Sequence, residues 1–413
     1  MKNRTQIKYK LIRIGSLFVM LTGIMGYYFF CYISLPSHMK LLSGKEQEID
    51  FHIPATASIS TASGKVVSDL YKPVSMKAGS SATYQMDVKL LGVIPLKSVE
   101  IQVIDEDTIH VMGQPIGIFI KTGGVMVVGE GSFETVDGSR VEPSGGIIQT
   151  GDYIVRFNGN EVSGKKQFLE WMAECTGEPI RLSVERDGMV RDVTIQPERN
   201  REGAWKLGIW IRDNAQGVGT LTFIDENGNF GALGHGIADG ETGKLMELGR
   251  GSLYDTTIVG IKKGGDGVPG ELTGMIEYDD ENIVGIITEN TSYGIFGQIY
   301  ADKIDSFQVS EALPICLKQN IRLGEAQILS GTSGKPEYYT VEITKVHLGE
   351  KESKGIELTV TDDRLLSLTG GIVQGMSGSP ILQDGKVIGA VTHVLVNDPT
   401  RGYGIYIEDM IKH

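Results

Sequence analysis

Gly375-Met376-Ser377-Gly378-Ser379-Pro380 places a serine between two glycines, directly ahead of an apolar run. A nucleophilic serine has to project its hydroxyl from a tight turn, beside backbone N–H groups that converge on an oxyanion. Glycines on both sides permit that turn and leave room for a substrate. Ile381-Leu382-Gln383, the pair Asp384-Gly385 and the run Lys386-Val-Ile-Gly-Ala-Val-Thr-His-Val-Leu-Val read as a strand, a type I′ turn and a second strand. The chemistry suggested is acyl transfer through Ser377. A glycine-rich turn with incidental serines is the bland reading, and the hairpin that follows counts against it.

A serine nucleophile needs a base brought to it by folding. His235 lies in Gly231-Ala-Leu-Gly-His-Gly-Ile-Ala, after the strand-like Thr220-Leu-Thr-Phe-Ile-Asp and the turn Glu226-Asn-Gly-Asn. Flanked by Gly234 and Gly236 at a strand end, it is free to move a proton. His393 sits within a strand pattern and reads as a packing residue; His347 has ordinary charged neighbours. Lys386 and Lys244, possible lysine bases, have no motif around them. A carboxylate should orient the imidazole. Asp362, at the end of Glu357-Leu-Thr-Val-Thr, fits the order His, Asp, Ser, but it fits equally well as the N-cap of a helix starting at Arg364-Leu-Leu. Asp279 and Asp280 lie in an acidic loop that nothing else supports.

The positioning elements are β-rich. From about residue 200 to 413 the chain is strand-like and glycine-rich, long enough for a double β-barrel. The serine loop with its hairpin resembles the second barrel of chymotrypsin-like peptidases, whose Gly-x-Ser-Gly-Gly-Pro motif is matched except that Ser379 replaces a glycine. That resemblance implies an oxyanion hole made by the backbone N–H groups of Gly375 and Ser377.

Residues 111–199 resemble a PDZ domain. The match is specific in Gly151-Asp-Tyr-Ile-Val-Arg-Phe-Asn-Gly159 and looser at Ile116-Gly117-Ile118-Phe119, which would stand as the carboxylate-binding turn. PDZ domains bind extended peptides by strand addition, which implies a peptide tail as partner here. In this segment Gly123-Gly124 reads as a turn between two apolar runs, and Ser163 as a helix cap. Residues 37–110 alternate as short strands, a small β module or stalk with no visible chemistry.

At the N-terminus, Lys2, Arg4, Lys8, Lys10 and Arg13 precede an uncharged stretch from Ile14 to Leu35. At 1.5 Å per residue it reaches about 33 Å, the thickness of a bilayer core. Residues 1–36 therefore read as a cytoplasmic tail and an uncleaved transmembrane signal anchor, with the remainder outside the cytoplasm. The net charge of −13 argues against nucleic acid. Cys31, Cys175 and Cys316 offer no disulfide framework or metal cluster, and no cofactor is expected.

Anchor, PDZ-like module, Gly-His-Gly, Val-Thr-Asp and Gly371-Ile-Val-Gln-Gly-Met-Ser-Gly-Ser-Pro together resemble the stage IV sporulation protein B family of sporulation signalling serine peptidases. The resemblance implies a catalytic triad of His235, Asp362 and Ser377, and a location in the forespore membrane facing the intermembrane space. It also implies cleavage of the chain itself and of a membrane-associated regulator of an intramembrane protease. A non-catalytic PDZ scaffold with a degenerate peptidase domain is the alternative.

Overall fold

The computed structural model describes residues 2–61, 64–79, 82–265, 267–307, 310–347 and 352–413. Helix α1 (Lys2–Ser34) opens the chain. Its stretch Arg13–Ser34 has a mean hydropathy of 1.7 and is long and apolar enough to cross a membrane. Its last turns are not free. Cys31 and Leu35 are buried with Met39, Ile49, Met86 and Ile101 in the core of a small β module, so helix end and module form one packed unit.

That module is a five-stranded sheet in the order His38–Leu42, Ile94–Ile104, Thr83–Leu90, Ala55–Thr61, Gly64–Asp69. Alternation of buried and exposed residues along Thr83–Leu90 shows why these segments form half-buried strands. Thr108–Val111 lies outside this sheet and pairs with Phe223-Ile224 and Ala312–Pro314.

Two closed six-stranded barrels make up the body. The first runs Pro115–Glu130, Arg250–Asp255, Ile283–Thr291, Gly294–Ile299, Asn229–Ala232, Ile209–Ile224 and back to Pro115–Glu130. The second runs Gly324–Ser330, Glu337–Val346, Ile356–Val360, Asp398–Tyr406, Lys386–Leu395 and Pro380–Gln383. Each has its own core, one around Ile118, Ile120, Leu221 and Phe230, the other around Ile328, Tyr339, Val341 and Ile381. Closure removes the exposed edges that an open sheet would present.

The first barrel corrects the expected domain limits. Residues 115–121 and 214–220 pair with each other as barrel strands, and the same two strands run on into a second sheet at 125–130 and 209–212. The 122–213 module is thus inserted between the first two strands of the barrel, and does not precede it as 111–199. The expected turn at Gly123-Gly124 is absent because Pro115–Glu130 is continuous. Gly124 is there for close approach: a Cβ would lie 2.6 Å from the Ile154 carbonyl.

A second correction follows. Ile116-Gly117-Ile118-Phe119 is paired on both edges, with Ser252–Asp255 on one side and Gln216–Gly219 on the other, and Ile116 and Ile118 are buried. Without an open edge it cannot accept a peptide strand, so it is not a carboxylate-binding turn.

The inserted sheet is completed by Tyr153–Phe157, Ile180–Arg186 and Met189–Ile195, with helix α2 (Lys165–Ala173) packed beside it. The type I′ turn expected at Asp384-Gly385 is present, and Asn158-Gly159 and Asp187-Gly188 make the same kind of turn: in each pair both residues take positive φ. Ser163 does not cap α2. The acceptor comes from the neighbouring strand, where Asp213 Oδ2 receives the Lys165 amide at 2.8 Å.

Candidate active site

Ser377 and His235 line one cleft of about 470 Å³ between the two barrels. Ile118, Val218 and Leu233 wall it from the first barrel and Ile372, Val373 and Val394 from the second, so the surface around the two polar groups is mainly apolar.

The serine loop has the geometry its glycines predict. Gly375 and Gly378 adopt φ of 100° and 96°. At Gly378 a Cβ would lie 2.1 Å from the Thr220 carbonyl, so only glycine fits. Among the described residues the backbone N–H groups of Gly375 and Ser377 have no acceptor, whereas the Met376, Gly378 and Ser379 amides are all engaged. Two unpaired donors beside a serine hydroxyl are what an oxyanion requires. Ser379 is fully buried and does not compete as nucleophile.

The loop is fastened across the barrel seam. Thr220 Oγ1 donates to the Gly375 carbonyl and Thr222 Oγ1 to that of Gly378, both at 2.8 Å, and the Thr220 amide donates to the Ser377 carbonyl. Both threonines are buried. Only their β-branched alternation in Thr220-Leu-Thr-Phe was legible in the sequence. A second fastening comes from the strap between Thr257–Lys262 and Glu271–Met275: Gln374 N–H donates to Gly270, the Leu272 N–H donates to Gln374, and Pro269 reaches the cleft wall.

His235 Nδ1 lies 2.9 Å from the carbonyl of Gly236. A carbonyl only accepts, so the proton sits on Nδ1 and Nε2 keeps its lone pair, the tautomer a general base needs. Burial pushes this imidazole's pKa below its ordinary value. Ser377 Oγ donates to the Thr392 carbonyl at 2.8 Å, and no hydrogen bond joins it to His235 among the described residues.

Two further expectations change. His393 does not sit in a core: it lines the cleft, its ring centroid 5.1 Å from that of His235. Its buried Nδ1 has no partner, and burial, followed by the charges of His235 and Lys354, lowers its pKa to about 4. Asp362 has no hydrogen bond to His235 among the described residues and does not line the cleft. Its carboxylate caps helix α3 (Asp363–Thr369) through the Arg364 and Leu365 amides, accepts the Thr340 amide and pairs with the Arg364 guanidinium at 2.9 Å. The helix-cap reading of Asp362 thus describes its contacts, because those donors are local and need no long-range closure.

The remaining candidates stand apart. His347 is bound to Glu357. Asp279 and Asp280 begin an exposed 3-10 turn, the first as its N-cap residue and the second as its first member, while Lys244 and Lys386 are outside the cleft.

The model of the SpoIVB peptidase S55 family matches residues 203–411 of the chain, both barrels apart from the strand Pro115–Glu130. The chain belongs to that family. Ser377 and His235 thus both lie within the stretch shared by the S55 peptidases. Over 62 residues it is 36% identical to a putative zinc metalloprotease of Pasteurella multocida, which accounts for 15% of this chain and 13% of that protein. A crystal structure of the PDZ domain of an SdrC-like protein from Listeria innocua is 19% identical over 22% of this chain and 93% of its own, with a TM-score of 0.18.

The inserted module holds a second concave site, of about 500 Å³, between α2 and the segment Trp205–Ile211. Phe168, Leu169 and Met172 face it from the helix, and Leu207 and Ile209 from the strand. Residues 209–212 pair with 126–130 on one side only among the described residues, which leaves the other edge to the groove. Leu207-Gly208-Ile209, which borders this groove, has the same apolar–glycine–apolar pattern as Ile116-Gly117-Ile118.

Proposed function

We propose that this S55 peptidase is a membrane-anchored serine endopeptidase of sporulation signalling. In this reading it cleaves itself and a membrane-associated regulator of an intramembrane protease, with its barrels outside the cytoplasm on the forespore membrane. The family supports the peptidase activity and its sporulation setting. The apolar helix behind a basic flank supports the topology.

The observation that carries the mechanism is a serine beside two unpaired amides in the cleft that holds a correctly tautomerised histidine. Ser377 Oγ turns from the Thr392 carbonyl to His235 Nε2 as substrate enters, a tightening that unliganded sites commonly await. Oγ then attacks the peptide carbonyl while Nε2 takes its proton. The Gly375 and Ser377 N–H groups receive the oxyanion. The imidazolium protonates the departing amine, and water, deprotonated by the same nitrogen, releases the acyl group. In place of a carboxylate, the Gly236 carbonyl holds the imidazole. A neutral acceptor stabilises the imidazolium less than an anion does. The apolar walls favour an apolar side chain next to the cleaved bond. The groove along Leu207–Ile211 takes a peptide tail by strand addition, from a substrate, a partner or the chain itself.

One observation favours a non-catalytic scaffold instead: Ser377 is bonded away from His235, and Asp362 is committed to α3. Full-length protein in vesicles separates the readings. Self-processing that Ser377→Ala abolishes supports the peptidase; processing unchanged in that variant, or absent from both proteins, leaves the scaffold.

A further inference from the structure

We propose that the hairpin tip Leu91-Gly92-Val93-Ile94 dips into the outer leaflet of the same bilayer that α1 crosses, giving the catalytic body a second membrane contact.

The tip has no charged residue from Leu90 to Leu96. Leu91, Val93 and Ile94 are 69%, 72% and 47% exposed, large apolar surfaces with nothing from the protein over them. Scattered exposed apolar residues need no explanation, but a run of three at one turn calls for a partner. The turn is also built against local preference. Leu91 takes φ of 50° and Gly92 of 76°, and the Val93 amide bonds to the Leu90 carbonyl. The first central position of such a turn suits asparagine, aspartate or glycine, and a branched apolar side chain is disfavoured there.

Position identifies the partner. Tyr28, within the apolar span, donates its hydroxyl to the Pro95 carbonyl at 3.0 Å, one residue beyond the tip. Tyr28 is six residues before the helix end at Ser34, about 9 Å inside the outer end of the span at 1.5 Å per residue. Side chains on a helix lean toward its N-terminus, here the cytoplasmic end, so the hydroxyl lies no shallower than its own Cα. The apolar tip is therefore held at the depth of the aromatic belt Tyr27-Tyr28-Phe29-Phe30, where headgroups give way to acyl chains. Lys97 anchors the other side: its Nζ bonds to the Leu35 carbonyl at 2.6 Å and lies over the Tyr32 ring. Lys89, exposed and opposite Pro95, suits the headgroup layer.

This inference needs α1 to span a bilayer and needs nothing from the peptidase chemistry. To test it, full-length protein carrying Cys175→Ala and Val93→Cys is labelled with an environment-sensitive fluorophore and reconstituted in phosphatidylcholine–phosphatidylglycerol vesicles. A Val136→Cys label on the inserted module serves as the water-facing reference, since Val136 is 65% exposed. Ile94→Cys repeats the measurement in case one label perturbs the turn. The expected result is a blue-shifted emission at least twice as bright as the reference, quenched more by nitroxide at carbon 5 of the acyl chain than at carbon 12. A water-like emission that neither nitroxide quenches, in protein that floats with the vesicles, overturns the insertion. So does a bright emission that neither nitroxide quenches. Failure to float overturns the span and the insertion together.

Discussion

The imidazoles of His235 and His393 come from different barrels and meet with ring centroids 5.1 Å apart at the seam. Burial lowers the pKa of both, and the charge on His235 lowers that of His393 further. A base that stays neutral below the ordinary imidazole value of about 6.5 remains able to take a proton there. The acid limb of kcat/KM is accordingly expected to have its midpoint below about 6.5. A pH–rate profile on a peptide substrate checks this; a midpoint above 7 would mean that an anion reaches the imidazole.

The same two shifts set a stability trend. Both histidines bind protons less readily folded than unfolded, so their contribution is complete above the unfolded value of about 6.5 and is lost as pH falls through the interval toward the folded values, about 4 for His393. Denaturant midpoints should fall between pH 7.5 and pH 5, and His393→Gln should make that fall shallower.

Removal of either reacting group should abolish cleavage. Ser377→Ala and His235→Ala are each expected to lower kcat by about 10⁴-fold or more, with the double variant little worse, since the pair acts as a unit. Single-turnover measurement of self-processing reads the effect.

Asp362 offers a sharper discrimination. Its hydrogen bonds with Arg364 and with backbone amides hold its carboxyl below the usual range. Asp362→Ala should cost about 1–2 kcal/mol through loss of the helix cap, seen in thermal unfolding. Asp362→Asn keeps acceptor capacity and should retain cleavage within about tenfold of the parent chain; a folded but inactive Asp362→Asn would mean that the carboxylate swings to His235 during the reaction.

Thr220→Val removes the hydroxyl that holds the Gly375 carbonyl while keeping the shape. It should lower kcat by about tenfold with KM nearly unchanged, as expected where an oxyanion donor is displaced but substrate binding is spared.

What the sequence made legible was local. The serine loop, the glycine-flanked histidine, the apolar helix and the Asn-Gly and Asp-Gly turns each carry their cause within a few residues. What it hid was the passage of two strands from one sheet to another. Pro115–Glu130 and Ile209–Ile224 stay paired with each other from the barrel into the inserted sheet without a turn, so a pattern reader sees a domain boundary at the glycines instead of an insertion. Asp362 was ambiguous for a related reason: a cap and a triad acid have the same local sequence, and only long-range closure tells them apart. His393 was missed because a strand residue at a seam alternates just as one in a core does.

The strand Ile209–Ile224 has an implication for any regulator. Its first residues border the groove beside α2, residues 215–218 form a wall of the catalytic cleft, and Thr220 clasps the nucleophile loop. A guest seated at one end would therefore pull on the same ribbon that steadies the serine at the other, and the pairing of that ribbon is irregular at two places between them, Trp210/Ile211 and Arg212/Asn214. Excising residues 111–199 would tear out a stave of the barrel, so the two jobs are separated by point changes such as Leu169→Glu or by a cut confined to the inserted residues 122–213.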